Sequence, residues 1–168
     1  VVARPGVVVV DRRLGQQLRS QLPDGRFEPV PGGLRNVVGA LPGPGPAIVV
    51  GAHYDSARGT PGANDNATGA AAVLELARLM RDLKGVSGKR IRLVLFVNEE
   101  PPYFMTEAMG SLNYARALAA RHERVVAMYS LETIGFYSSA PGSQSYPAPF
   151  GLMFADRGDF VAFVGMLG

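Results

Sequence analysis

The stretch Ala47-Ile48-Val49-Val50-Gly51-Ala52-His53-Tyr54-Asp55 decides the fold: an apolar run that stops on a histidine and a carboxylate. Two further runs repeat the pattern. Ile91-Arg92-Leu93-Val94-Leu95-Phe96-Val97 leads into Asn98-Glu99-Glu100, and Val125-Val126-Ala127-Met128-Tyr129-Ser130-Leu131 leads into Glu132. Short apolar runs rich in β-branched residues read as buried strands. In an open α/β sheet, ligands and reacting groups gather outside the carboxyl ends of the strands. Carboxylates placed there repel one another and are costly to desolvate unless a cation neutralises them. The pattern points to a bound metal.

Outward from these runs, Ala67 to Lys84 carries a helical pattern, with Ala70, Val73, Ala77, Met80 and Leu83 on one face and Gly85 as its stop. Strand, helix and the Ile91 strand then make a parallel crossover. Pro101-Pro102 ends the second strand, because proline lacks the ladder N–H. A helix over Ser111 to Arg121 leads to the third run. Upstream, Asp11 to Leu22 reads as a short helix (Leu14, Leu18, Leu22), Phe27 to Val30 as a short strand and Leu34 to Leu41 as a strand. Five residues, Pro42-Gly43-Pro44-Gly45-Pro46, join that strand to Ala47, too few for a helical crossover. The expectation is an antiparallel pair. Ser138 to Asp159, rich in Pro, Gly and Ser, reads as ordered loop.

Composition narrows the class. The chain has 168 residues, 47% of them hydrophobic, with no uninterrupted apolar run of the about 18 residues that a membrane span needs. A net charge of +3 with scattered arginines gives no support for nucleic-acid binding. With no cysteine, any metal must be held by histidine and carboxylates. The chain opens on Val1 and ends soon after the apolar run Phe160 to Gly165, with no closing element, so the expectation is one partial domain over residues 1–168, prone to self-association through exposed apolar surface.

Each candidate residue has an ordinary reading beside the chemical one. Asp55, two positions after His53 along an extended segment, either orients the imidazole or is a turn residue. Asp65 stands twelve positions after His53, where a helix begins. It serves as the helix N-cap, or one carboxylate bridges two cations. Glu99 and Glu100 are the sharper signal, because adjacent carboxylates at a buried strand end destabilise each other. A division of labour resolves the conflict: one binds metal and the other takes a proton from water. His122, in Arg121-His122-Glu123-Arg124, is a solvated helix-end residue. The Tyr103-Phe104-Met105 cluster either lines a pocket or packs in the core. Asn66-Ala67-Thr68 fits a glycosylation acceptor, but its position beside Asp65 shields it.

Five segments together resemble a known family. They are Gly51-Ala52-His53-Tyr54-Asp55-Ser56, Pro61 to Gly69, Phe96-Val97-Asn98-Glu99-Glu100, Gly110 to Ala115 and Leu131-Glu132-Thr133-Ile134-Gly135. In order and spacing they are similar to the N-terminal part of M28-type zinc peptidases, the bacterial aminopeptidase type. The resemblance implies a three-layer α/β/α fold on a mixed, mainly parallel sheet, truncated at its C-terminus. It implies that His53 and Glu132 bind one zinc and Glu100 a second, with Asp65 bridging them. Glu99 would be the general base and Asp55 the partner of His53. The family's remaining histidine ligand falls downstream of Gly168, so this chain by itself is expected to be inactive. The resemblance further implies a cis Asp65–Asn66 peptide, a peptide substrate cleaved at its free N-terminus, and a secreted or periplasmic location, although no signal peptide is visible. Three rivals remain: an M20-type zinc enzyme, a glutaminyl-cyclase-like enzyme, and a non-catalytic peptidase-fold interaction domain. In the M20 type the bridging aspartate lies much further from the His-x-Asp motif.

Overall fold

The computed structural model describes residues 12–82 and 88–165. They form two compact units, one ending at Thr133 and the other beginning at Ile134. In the first unit the order is α1 (Arg12–Gln21), β1 (Arg26–Val30), β2 (Leu34–Leu41), β3 (Ala47–His53), an irregular turn (Ala63–Ala67), α2 (Thr68–Met80), β4 (Arg90–Phe96), α3 (Gly110–Ala120) and β5 (Val125–Ser130). Leu83 and Gly85, the expected end of the second helix, lie outside the described residues.

The sheet has five strands in the order β1-β2-β4-β3-β5. β3 is parallel to β4 and to β5, while β2 is antiparallel to β1 and to β4. β2 is therefore the one strand of the five that runs backwards, and the sheet is mixed and mainly parallel. The expected pairing of β2 with β3 is corrected: β4 lies between them. The five-residue linker needs to span only two inter-strand spacings, about 10 Å, and it passes over the entry of β4. Arg90 N–H donates to the Pro46 carbonyl at 3.1 Å. Gly43 and Gly45 permit the crossing, since a Cβ on either would stand 2.0 Å from the carbonyl oxygen of Lys89 or Gly88.

Alternation along the strands builds two cores. Ile91, Leu93 and Leu95 of β4, with Val37, Leu41, Val50 and Ala52, meet Leu18 and Leu22 from α1 and the end that follows it, and Ala70, Val73 and Ala77 of α2. Val94 and Phe96, with Val38 and Val49, meet Tyr114 and Leu118 of α3 on the opposite face. This is a three-layer α/β/α arrangement. Burying each such Val, Leu or Phe stabilises by roughly 1.5–3 kcal/mol. A one-residue slip would move every one of them to the wrong face, so the strand register is strongly fixed. That register places His53, Phe96 and Ser130 at one edge of the sheet. Among the described residues, no helix is long and apolar enough to cross a membrane.

The second unit is mostly irregular, as its Pro, Gly and Ser content leads one to expect. Ser138 and Gly158 form an isolated antiparallel bridge, and Phe150–Leu152 makes a single 3-10 turn. The Tyr146 ring lies 5.5 Å from that of Phe154 and 6.3 Å from that of Phe160.

Candidate metal centre

His53 ends β3 with its imidazole 2% exposed. Its Nε2 is 3.0 Å from Asp65 Oδ1, 3.1 Å from Glu132 Oε1 and 3.7 Å from Glu99 Oε2. Two groups of potential ligands share this histidine. One is His53, Asp65 and Glu132, the other His53, Glu99 and Glu100, and within each group the donor atoms lie within 4.8 Å of one another. The residues expected at the strand ends are thus brought together at one edge. His122 is not among them. It is exposed at the opposite edge, near the start of β5.

The backbone explains how each side chain arrives. Leu131 N–H donates to the Gly51 carbonyl at 2.8 Å, which extends the β3–β5 ladder and delivers Glu132 beside His53. After β4, Asn98 takes a positive φ of 59°, a conformation Asn tolerates better than most residues, and its Nδ2 donates to Ala108 O at 3.0 Å. The chain therefore turns at Asn98 and presents Glu99 and Glu100. Asp65 follows a glycine-led turn, and the Asp65–Asn66 peptide is cis, as are Pro101–Pro102 and Ala148–Pro149.

Asp55 is buried and contacts the histidine, with a difference from expectation. Nδ1 of His53 lies 3.0 Å from the Asp55 carbonyl oxygen, while the carboxylate is further away at 3.4 Å. That carboxylate instead accepts from Glu99 N–H at 3.3 Å and Glu100 N–H at 3.1 Å. Asp55 therefore ties β3's histidine to both glutamates that follow β4. Glu100 in turn accepts from Ala57 N–H at 3.0 Å. Asp65 does not cap α2. Asn66 does, its Oδ1 accepting from Gly69 N–H at 3.0 Å, which leaves the Asp65 carboxylate free to face His53. Asn66 is 1% exposed, as the shielding argument against glycosylation requires.

Electrostatics report a crowd of like charges. Burial raises Glu99's proton affinity; the His53 charge opposes this, and Glu132, Asp55 and Glu100 add to it. Burial and the charge of Asp65 likewise raise Glu100. For His53, burial alone would favour the neutral ring, but the Asp55 and Glu132 carboxylates overcome it and hold the pKa near 11. A donor set of one imidazole and several carboxylates, without thiolate, suits zinc. In a tetrahedral site with bonds of about 2.1 Å, ligand atoms stand about 3.4 Å apart. The 3.0 and 3.1 Å spacings about Nε2 need to open by only a few tenths of an ångström. The residues fit the ion.

Beside the centre lies a cleft of about 770 Å³ that His53, Glu99 and Glu132 share with Phe104, Met109, Leu112 and Met128. Phe104 is 52% exposed and Met105 81%, so the cluster after the prolines is cleft and surface rather than core.

The family model for peptidase family M28 matches residues 36–153. The chain belongs to peptidase family M28. It is 45% identical over 150 residues to the uncharacterized protein YfbL of Escherichia coli, covering 83% of this chain and 45% of that protein. It is 35% identical over 89 residues to aminopeptidase YwaD of Bacillus subtilis, covering 52% of this chain and 18% of that one. Among solved structures, BSAP, a zinc aminopeptidase from Bacillus subtilis, superposes with a TM-score of 0.53 at 32% identity, over 66% of this chain and 26% of its own. The chain thus spans less than half the length of each of these three relatives.

Two asparagines near this centre make long-range contacts that the sequence reading did not assign to them. Asn36, buried in β2, donates to Gly110 O at 2.8 Å and accepts from Val97 N–H at 3.1 Å. It thereby clamps the loop that carries both glutamates at its two ends. Its signal was an amide side chain at the entry of the apolar stretch Val37 to Leu41 of the same strand. Asn66 is the other; its signal was an Asn at a helix start, directly after a candidate ligand.

Proposed function

We propose that the protein containing this chain is a zinc-dependent aminopeptidase that hydrolyses the N-terminal peptide bond of its substrate. The observation that carries the reading is the convergence of His53, Asp65 and Glu132 about one imidazole nitrogen, with Glu99 and Glu100 beside them. Family membership and the aminopeptidase names of the relatives described above support it. His53, Asp65 and Glu132 would hold one zinc, and Asp65 with Glu100 would serve a second. When bound, zinc polarises the scissile carbonyl and acidifies water. Glu99, not needed as a ligand, takes the proton from water and returns it to the leaving amine. Its raised proton affinity moves it towards the range that suits a general base near neutral pH. Asp55 holds the Glu99 amide while its carbonyl fixes the ring of His53. The apolar cleft beside the carboxylates receives substrate side chains.

The test is Glu99→Gln in the full-length protein. The amide hydrogen-bonds to water but cannot accept its proton, so kcat on aminoacyl substrates falls about 10²-fold or more while calorimetry finds zinc still bound. Near-normal turnover in the zinc-loaded variant would place the base elsewhere.

We further propose that the 168-residue chain by itself self-associates and has little peptidase activity. β5 is an edge of the described sheet, and Val126, Met128 and Tyr129 are exposed along it, an arrangement that invites pairing. A monodisperse, fully active sample in light scattering and assay would refute this.

A further inference from the structure

One side chain touches both segments that carry the carboxylates about His53 Nε2. Asn66 follows Asp65 directly in the chain and is fully enclosed. Its Nδ2 donates to the Leu131 carbonyl at 2.9 Å, and its Oδ1 accepts from Thr133 N–H at 3.4 Å. Those two peptide groups flank Glu132. The same Oδ1 accepts from Gly69 N–H at the start of α2. A primary amide has the two faces this needs, one donating and one accepting. Space for it comes from Gly69, where a Cβ would stand 2.4 Å from Leu131 O and 2.5 Å from Asn66 Oδ1.

We infer that Asn66 is a positioning residue for the metal centre: it holds Glu132 at a set distance from Asp65, with Gly69 keeping room for its amide. The inference rests on the reading of His53, Asp65 and Glu132 as zinc ligands. Glu132 and Asp65 lie on separate segments, each with its carboxylate largely in solvent (45% and 57% exposed). Each carboxylate reaches His53 Nε2, and the buried amide ties together the two segments behind them. Partners of this outer kind typically change metal affinity by 10–100-fold when removed.

Calorimetric zinc titration of the full-length protein tests this, with the visible spectrum of the cobalt-loaded form as a readout of coordination geometry. Asn66→Ala is expected to weaken zinc binding 10–100-fold and alter the cobalt bands. Should Asn66→Ala fail to fold, Gly69→Ala serves, because alanine suits the helix itself yet displaces the amide, and the same two changes are expected. Folded variants with zinc affinity within twofold of the parent and an unchanged cobalt spectrum would overturn the inference. His53→Ala, run alongside, separates the failures. If it too leaves zinc binding intact, the ligand reading falls, and if it alone abolishes binding, only the role of Asn66 falls.

Discussion

The two edges of the sheet treat half-buried glutamates in opposite ways. At the amino edge, Glu123 stands just before β5 and meets two guanidinium groups, Arg92 at 2.7 Å and Arg90 at 3.3 Å. Burial pushes its proton affinity up, but the two arginines outweigh this and hold it below the usual carboxylate range. At the carboxyl edge, Glu99 and Glu100 share one histidine with Asp55, Asp65 and Glu132, and both are shifted upward. The first arrangement stabilises the fold. The second is kept at a cost in stability, as expected where a cation is bound rather than built in.

That contrast can be broken at several points. The largest effect is expected from His53→Ala, which removes the one imidazole shared by both ligand groups. Zinc affinity should fall by more than the roughly 100-fold typical of outer partners, whereas Glu123→Ala should leave it unchanged; equal effects in a zinc titration would erase the distinction between the edges. Next, Glu123→Ala should destabilise the protein by about 3 kcal/mol near neutral pH, because it strands a largely buried Arg92. Denaturant unfolding measures this. The lowered proton affinity of Glu123 means its contribution is complete above the ordinary 4.5 and is lost as pH falls below it, so the gap between parent and variant should close in acid.

The smallest effect carries the opposite sign. Glu100→Gln keeps an oxygen for the Ala57 N–H and removes one charge from the crowd. Because the folded-state proton affinity of Glu100 is raised, the ionised carboxylate works against folding at higher pH, and its protonated form favours folding at low pH. The metal-free variant should therefore be more stable than the parent at neutral pH, by about 1 kcal/mol or less. The advantage should vanish below about pH 4.5. A loss of stability at neutral pH would show that Glu100 is structural.

Apolar periodicity made all five strands and three helices legible to within a few residues, since burial acts on local pattern. β2 was read at its observed bounds, Leu34–Leu41. The same logic marked His53, Glu99, Glu100 and Glu132, because strand ends are where charge has no core to avoid. Neighbour relations were not legible. The linker Pro42–Pro46 suggested an antiparallel pair of neighbours, yet β4 inserts between its two strands. Asp65 could be a cap or a ligand on local grounds, and the structure gave the cap to Asn66.

By itself, then, the sequence determined where the strands stop and which carboxylates stand at those stops, but not that β5, read as a buried run, is largely exposed. The stops and their carboxylates follow from side-chain chemistry and from periods of two and 3.6 residues. Only the tertiary structure decided which groups meet. Asp55 ties the end of β3 to the amides of Glu99 and Glu100, Asn36 clamps the loop that carries them, and Asn66 spans Asp65 and Glu132. Hydrogen bonds between residues 44 to 74 positions apart have no local signature; they exist because close packing of the layers leaves each buried amide and carboxylate a single place to find its partners.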